Sequence, residues 1–246
     1  MLKVAVLSTS RAPGLDYLLG HDPRRGRIYE IVTLAVTDPE HRDVPTARAA
    51  HLPILVRDFA GFYAGRGARR RDLAVRADFD RDTAEALHAI GTDLVIACGY
   101  LHILTRPMLD AFPDRVINVH DADLAVLDAK GGPRFRGLHS TRDAILAGEP
   151  ETRSTVHLVT PEVDVGPVLL RSRAFPVHQM VHEARRWDAI DILKAYAYAQ
   201  REWMMRASWG RLMSDAIAMC AESLSPCPPL HIVERRGLQE AAWTTS

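Results

Sequence analysis

Asn118 and His120 stand two residues apart in Val116-Ile117-Asn118-Val119-His120, a short apolar run that reads as a buried strand. Side chains alternate along a strand, so Val116, Asn118 and His120 share one face and Ile117 and Val119 the other. An amide beside an imidazole can donate to a carbonyl oxygen as it becomes an oxyanion. A nearby carboxylate would stabilise the protonated ring and orient it. Asp164, in the tight turn Pro161-Glu162-Val163-Asp164-Val165-Gly166-Pro167, is the candidate. His120-Asp121-Ala122-Asp123 also suits a metal in ligand type, but no further ligand group stands at a useful spacing.

Something must bring these groups together. Apolar runs at residues 4–7, 29–37, 54–56, 94–98 and 116–120 read as strands. Helical spacing falls between them at 15–19, 45–51 and 78–90. Strict alternation of this kind predicts an α/β fold, with a mostly parallel sheet covered by helices on both faces. Ligands in such sheets bind at the carboxyl ends of the strands, where Asn118 and His120 lie. Residues 141–147 read as a helix stopped by Gly148, and 155–160 with 168–175 as an antiparallel hairpin. Residues 188–218 form a long helical pattern, expected to break into two helices near Gly210. The expected domain covers residues 1–220, with 221–246 as a tail.

Composition bounds the function. The 246 residues carry 31 basic and 31 acidic side chains, which argues against a generally basic nucleic-acid binder. The arginine-rich stretch at 66–72 reads as a solvated loop. Cys98, Cys220 and Cys227 have no metal-type spacing and make an odd count, which suggests a reducing compartment. The first apolar run is too short for a signal peptide, and no stretch approaches a membrane span. A cytoplasmic location is expected.

Further motifs follow in a telling order: Asn118-Val119-His120, Gly137-Leu138-His139-Ser140, Ser154-Thr155-Val156-His157-Leu158-Val159-Thr160 and Val163-Asp164-Val165-Gly166-Pro167. This succession resembles the folate-dependent formyltransferases, and within them the phosphoribosylglycinamide formyltransferase branch. The good match covers about residues 94–177. The resemblance implies a Rossmann-like formyltransferase fold ending in a β-hairpin plus helices. It implies formyl transfer from 10-formyltetrahydrofolate to the amine of glycinamide ribonucleotide, in purine synthesis, with no metal. Asn118, His120 and Asp164 match the catalytic set. Tyr100, Leu101, Ile103 and Leu104, in Gly99-Tyr100-Leu101-His102-Ile103-Leu104-Thr105, match the folate wall, and Val163 joins them from the turn. Glu202 matches a residue near the substrate ribose. His139 and His157 match family histidines that support the site.

Two loops depart from the family pattern. Ser8-Thr9-Ser10-Arg11-Ala12-Pro13-Gly14-Leu15 replaces a glycine- and asparagine-rich phosphate loop, leaving Ser10 and Arg11 as candidate phosphate contacts. The chain after His120 is altered, and its loop is longer through Lys130, Arg134 and Arg136. These three are weighed as contacts to an anionic substrate against a solvated basic loop. An amino-sugar nucleotide is the alternative acceptor. A non-catalytic folate- or nucleotide-binding relic is the alternative to an enzyme.

Overall fold

The computed structural model describes residues 1–223. Its elements in chain order are β1 (Leu2–Ser8), α1 (Leu15–Gly20), β2 (Tyr29–Val36), α2 (Val44–Ala49), β3 (Ile54–Val56), α3 (Phe59–Ala64), α4 (Leu73–Ala89), β4 (Leu94–Cys98), α5 (Arg106–Ala111), β5 (Val116–His120), α6 (Ser140–Ala147), β6 (Glu151–Thr152), β7 (Thr155–Leu158), β8 (Val168–Arg171), β9 (Phe175–Pro176), α7 (Met180–Arg186) and α8 (Ile190–Ser223). Seven strands form one sheet in the order β3-β2-β1-β4-β5-β7-β8. The pairs from β3 to β5 are parallel, and β7 and β8 add antiparallel strands at one edge. This is the expected Rossmann-like α/β fold, hairpin included. Chain order reverses between β1 and β4, so a crevice opens at their carboxyl ends.

Strand alternation splits the core into two layers. Val4, Val6, Ile96, Ile117 and Val119 face α1 and α8, packing on Leu18, Met205, Trp209 and Met213. Ala5, Leu7, Val95, Ala97 and Val116 face α4 and α5, packing on Leu87, Met108 and Phe112. Each layer removes apolar surface from water at roughly 25 cal/mol per Å².

The expected break near Gly210 does not occur; α8 is one helix of 34 residues. Gly210 is there for contact, not for a turn. A Cβ at that position would lie 2.6 Å from Tyr17 Cβ, because α1 crosses α8 directly on it. A second difference is the start of α4, placed at residue 78 by spacing. Asp72 accepts hydrogen bonds from the Ala74 and Val75 amides, at 3.0 and 3.3 Å, and caps the helix earlier. Spacing also misses α3, α5 and α7, which have six or seven residues each, too few for a periodic signal. The two-residue strands β6 and β9 are anchored by Gln200 of α8, which donates to Thr152 Oγ1 and the Phe175 carbonyl, both at 3.0 Å. Cys98 is buried and Cys220 half-buried, both as free thiols. Cys227 and residues 224–246 of the expected tail lie outside the described residues. No described helix is long and apolar enough to cross a membrane.

Gly210→Ala gains about 1 kcal/mol of helix propensity. It forces a contact that costs about 1–3 kcal/mol, because the Tyr17 Cβ cannot swing away. Thermal denaturation of the variant is expected to show a Tm lower by up to about 8 °C; a higher Tm would contradict the packing described.

Candidate active site

Asn118 and His120 reach the carboxyl end of β5, and β7 lies antiparallel beside it with His157 opposite Asn118. Asn118 Nδ2 lies 3.0 Å from His157 Nε2. His157 is buried, and its Nδ1–H donates to the Leu158 carbonyl at 2.8 Å, which fixes the ring. Asp164 enters from the turn after β7, with φ at 56°. Aspartate tolerates this left-handed conformation better than most residues. It aims the carboxylate between the two rings. Oδ2 lies 3.6 Å from His120 Nδ1, and Oδ1 lies 3.5 Å from His157 Nε2. The Gly137 amide donates to Oδ2 at 2.7 Å. Burial opposes the Asp164 charge, but the His157 and His120 rings and the Gly137 N–H outweigh it and hold the carboxyl down at about 2.

The second His120 nitrogen defines the first. Nε2–H donates to the Phe135 carbonyl at 3.0 Å. Phe135 is buried among Ala122 and Ala144, so this acceptor is fixed. The other nitrogen, Nδ1, faces Asp164.

These residues line a cleft of about 440 Å³. Tyr100, Leu101, Ile103, Leu104 and Val163 line it too. Their loop is tied down at both ends. Thr9 donates its amide to the Gly99 carbonyl at 3.1 Å, and the Leu101 amide donates to Thr9 Oγ1 at 2.9 Å. The Thr105 amide and hydroxyl both donate to Asp80 at 2.6 Å. His102 stacks on Phe59 with ring centroids 4.0 Å apart. Burial, with the Arg76 and Arg70 cations behind it, pushes its imidazole down to about 4, so it stands neutral on the wall.

A second cavity, of about 600 Å³, lies beside the first loop and α8. Arg11, Arg42, Arg206 and Arg211 line it, with Asp16 and Asp43 as its acidic members. Arg11 is also bonded to Glu202 through both guanidinium ends, one of them Nη1–Oε2 at 2.9 Å. This hydrogen-bonded pair raises the Arg11 pKa and lowers that of Glu202. The two candidate substrate residues thus meet each other, 191 positions apart in sequence. Ser10 is exposed, and its carbonyl accepts from the Arg42 amide at 3.2 Å.

Not every expected residue joins the cleft. His139 is exposed at the start of α6 and does not line it. Arg134 and Arg136 pair with Glu149 and Glu162, at 3.0 and 3.1 Å. Several contacts gave no sequence signal, even where the residue itself, as with Gly137, lies in a quoted motif. Gly137 and Phe135 act through backbone atoms, which motifs of side chains do not reveal. Asp121 pairs with Arg201, 80 positions away, and no spacing links them. Asp121 and Asp123 are engaged by arginines, Asp123 with Arg171 at 2.9 Å.

A doubly wound sheet with an amide, an imidazole and a carboxylate converging at its carboxyl edge is a setting for acyl-group chemistry. Residues 2–185 match the family model for formyl transferases, and the chain belongs to that family. A solved glycinamide ribonucleotide transformylase 1 from Symbiobacterium toebii is 31% identical and superposes with a TM-score of 0.65, covering 90% of this chain and 88% of that one. The phosphoribosylglycinamide formyltransferase of Mycobacterium tuberculosis is 32% identical over 155 residues, which is 63% of this chain and 60% of that protein. The trifunctional purine biosynthetic protein adenosine-3 of Drosophila melanogaster is 26% identical over 196 residues, 75% of this chain but 13% of that protein. The matches therefore span less than two-thirds of the length of these two sequence relatives.

The depressed Asp164 carboxyl stabilises the fold above the usual carboxylate range, near pH 4. That stability is lost as pH falls through about 2. The side chain is only 10% exposed, so the loss amounts to about 2 kcal/mol. Asn also tolerates the left-handed turn. Denaturant unfolding of native protein and Asp164→Asn between pH 5 and pH 2 is expected to show a steeper acid loss in the native protein. Parallel curves would contradict the depressed pKa.

Proposed function

We propose that the protein transfers a formyl group from 10-formyltetrahydrofolate to the amine of glycinamide ribonucleotide, a step of purine synthesis. The observation that carries this reading is the convergence of Asn118, His120 and Asp164 at the mouth of the apolar cleft. The acceptor amine attacks the formyl carbon. Asn118 Nδ2 and His120 Nδ1–H donate to the oxyanion that develops there. Asp164 faces the His120 ring as it carries positive charge, and takes part in passing the amine's proton to the departing N10 of the folate. No covalent enzyme intermediate is needed.

The two cavities divide the substrates. The apolar wall from Tyr100 to Leu104, closed by Val163, suits the flat ring of the donor. The arginine-lined cavity suits the phosphate of the acceptor, with the guanidinium groups in place of a glycine-rich loop. An amino-sugar nucleotide is a second reading. The altered first loop supports it, because Arg11, Ala12 and Pro13 stand where the family has a glycine- and asparagine-rich phosphate turn.

Incubation of the full chain with 10-formyltetrahydrofolate and glycinamide ribonucleotide, followed by absorbance and mass spectrometry, tests the reading. Formylated product that depends on this amine is expected. His120→Ala or Asp164→Ala should lower kcat by about 10²–10⁴ while the donor Kd stays within a few-fold. Near-native turnover by either variant would remove that residue from the mechanism.

A further inference from the structure

Arg201 has no role in the chemistry above, yet it lines the same cleft as His120. Its Nε donates to Asp121 Oδ2. Asp121 is buried and follows His120 directly, so their Cα atoms are about 3.8 Å apart. The aspartate is held on every side. Ser140 Oγ donates to Oδ1 at 2.6 Å, and Thr141 Oγ1 donates to the Asp121 carbonyl at 2.5 Å. The guanidinium is thereby pinned at one edge. Among the described residues, nothing accepts from its Nη1 or Nη2.

The fold separates Arg201 from the donor wall. Val116 packs in the layer toward α4 and α5, together with Leu104. Ile117 and Val119 pack in the layer toward α8. Asp121, one step past His120, reaches α8 and finds Arg201 there. The cleft thus has an apolar wall on one side of the sheet edge and Arg201 on the other.

Charge decides what Arg201 can hold. Its positive charge is already balanced by Asp121, so a full anion beside it would leave the site net negative, next to ionised Asp164. An uncharged oxygen meets the N–H donors of the two Nη groups with no such cost. The excess positive charge sits in the second cavity, where arginines outnumber acids, and an anion belongs there.

We infer that Arg201, held by Asp121, is an acceptor-positioning residue, whose Nη groups donate to an uncharged oxygen adjacent to the acceptor's amine. The class of acceptor is an amine with a carbonyl or hydroxyl oxygen one or two bonds from the amine-bearing carbon, and an anion further away. This rests on the formyl-transfer reading above.

The test compares native protein with Arg201→Met, with Arg201→Lys, and with the paired change Asp121→Asn with Arg201→Gln, which replaces the buried charges by amides. Two acceptors are used: glycinamide ribonucleotide, and its analogue with the glycyl carbonyl reduced to a methylene. Arg201→Met is expected to lose at least 30-fold in kcat/KM for the ribonucleotide, with the donor Kd within twofold and partial rescue in Arg201→Lys. Native protein should lose a comparable factor on the reduced analogue, and Arg201→Met should lose no more on it. Equal losses on both acceptors, or a changed donor Kd with unchanged acceptor kinetics, overturn the inference. The paired change supplies the same comparison where Arg201→Met does not fold. Native protein that fails on glycinamide ribonucleotide but formylates a nucleoside-diphosphate 4-aminosugar overturns the acceptor identity alone. Arg201→Met is then expected to lose at least 30-fold on that sugar and little on its deoxy analogue lacking the hydroxyl beside the amine. Turnover of neither acceptor overturns both readings.

Discussion

A carboxylate kept ionised while nine-tenths buried is the constraint on which the site depends. Asp164 has lost most of its water, and the protein must replace that hydration with fixed partners. It does so with two imidazoles from β5 and β7 and one backbone amide from the loop after β5. Three separate chain segments are therefore organised around one charge. The left-handed turn at Asp164, the antiparallel register that sets His157 opposite Asn118, and the placement of Gly137 each answer to it. Without the sheet edge, no local sequence could hold these groups together.

The sheet strands were largely legible because burial leaves a plain mark, a run of apolar residues closed by polar ones. Alternation put Asn118 and His120 on one face, and the neighbouring motifs of the resemblance marked them as a candidate site. Asp164 was a candidate from its tight turn, and His157 became one through its motif. What spacing could not show was of two kinds. Short elements such as α3 and α5 complete fewer than two helical turns, so periodicity has nothing to repeat. Gly210 was misjudged because a glycine read in one dimension signals a stop, whereas here it marks a point where α1 presses against α8. Only the neighbour explains the residue.

The altered loop after His120 illustrates the same limit. In sequence it is a departure from the family pattern. In the structure its Phe135 carbonyl selects which imidazole nitrogen faces the cleft, and its Gly137 amide steadies Asp164. Both contributions come from the main chain. Side-chain substitutions along this loop can therefore be numerous without disturbing the arrangement, provided that the path of the backbone survives. Phe135 keeps that path by burying its ring beside Ala122 and Ala144.

The unbroken α8 has a consequence for how this scaffold can change its taste in substrates. Arg201 stands at the first cavity, and Arg206 and Arg211 at the second. At 1.5 Å per residue, these positions are set roughly 8 and 15 Å along one stiff rod. Inserting a single residue between them would swing every later side chain by about 100° and tear Gly210 from its seat under Tyr17. Lineages that carry such a rod are confined to exchanging side chains on it, so molecules of new length are reached by trimming or lengthening arginines rather than by rebuilding the helix.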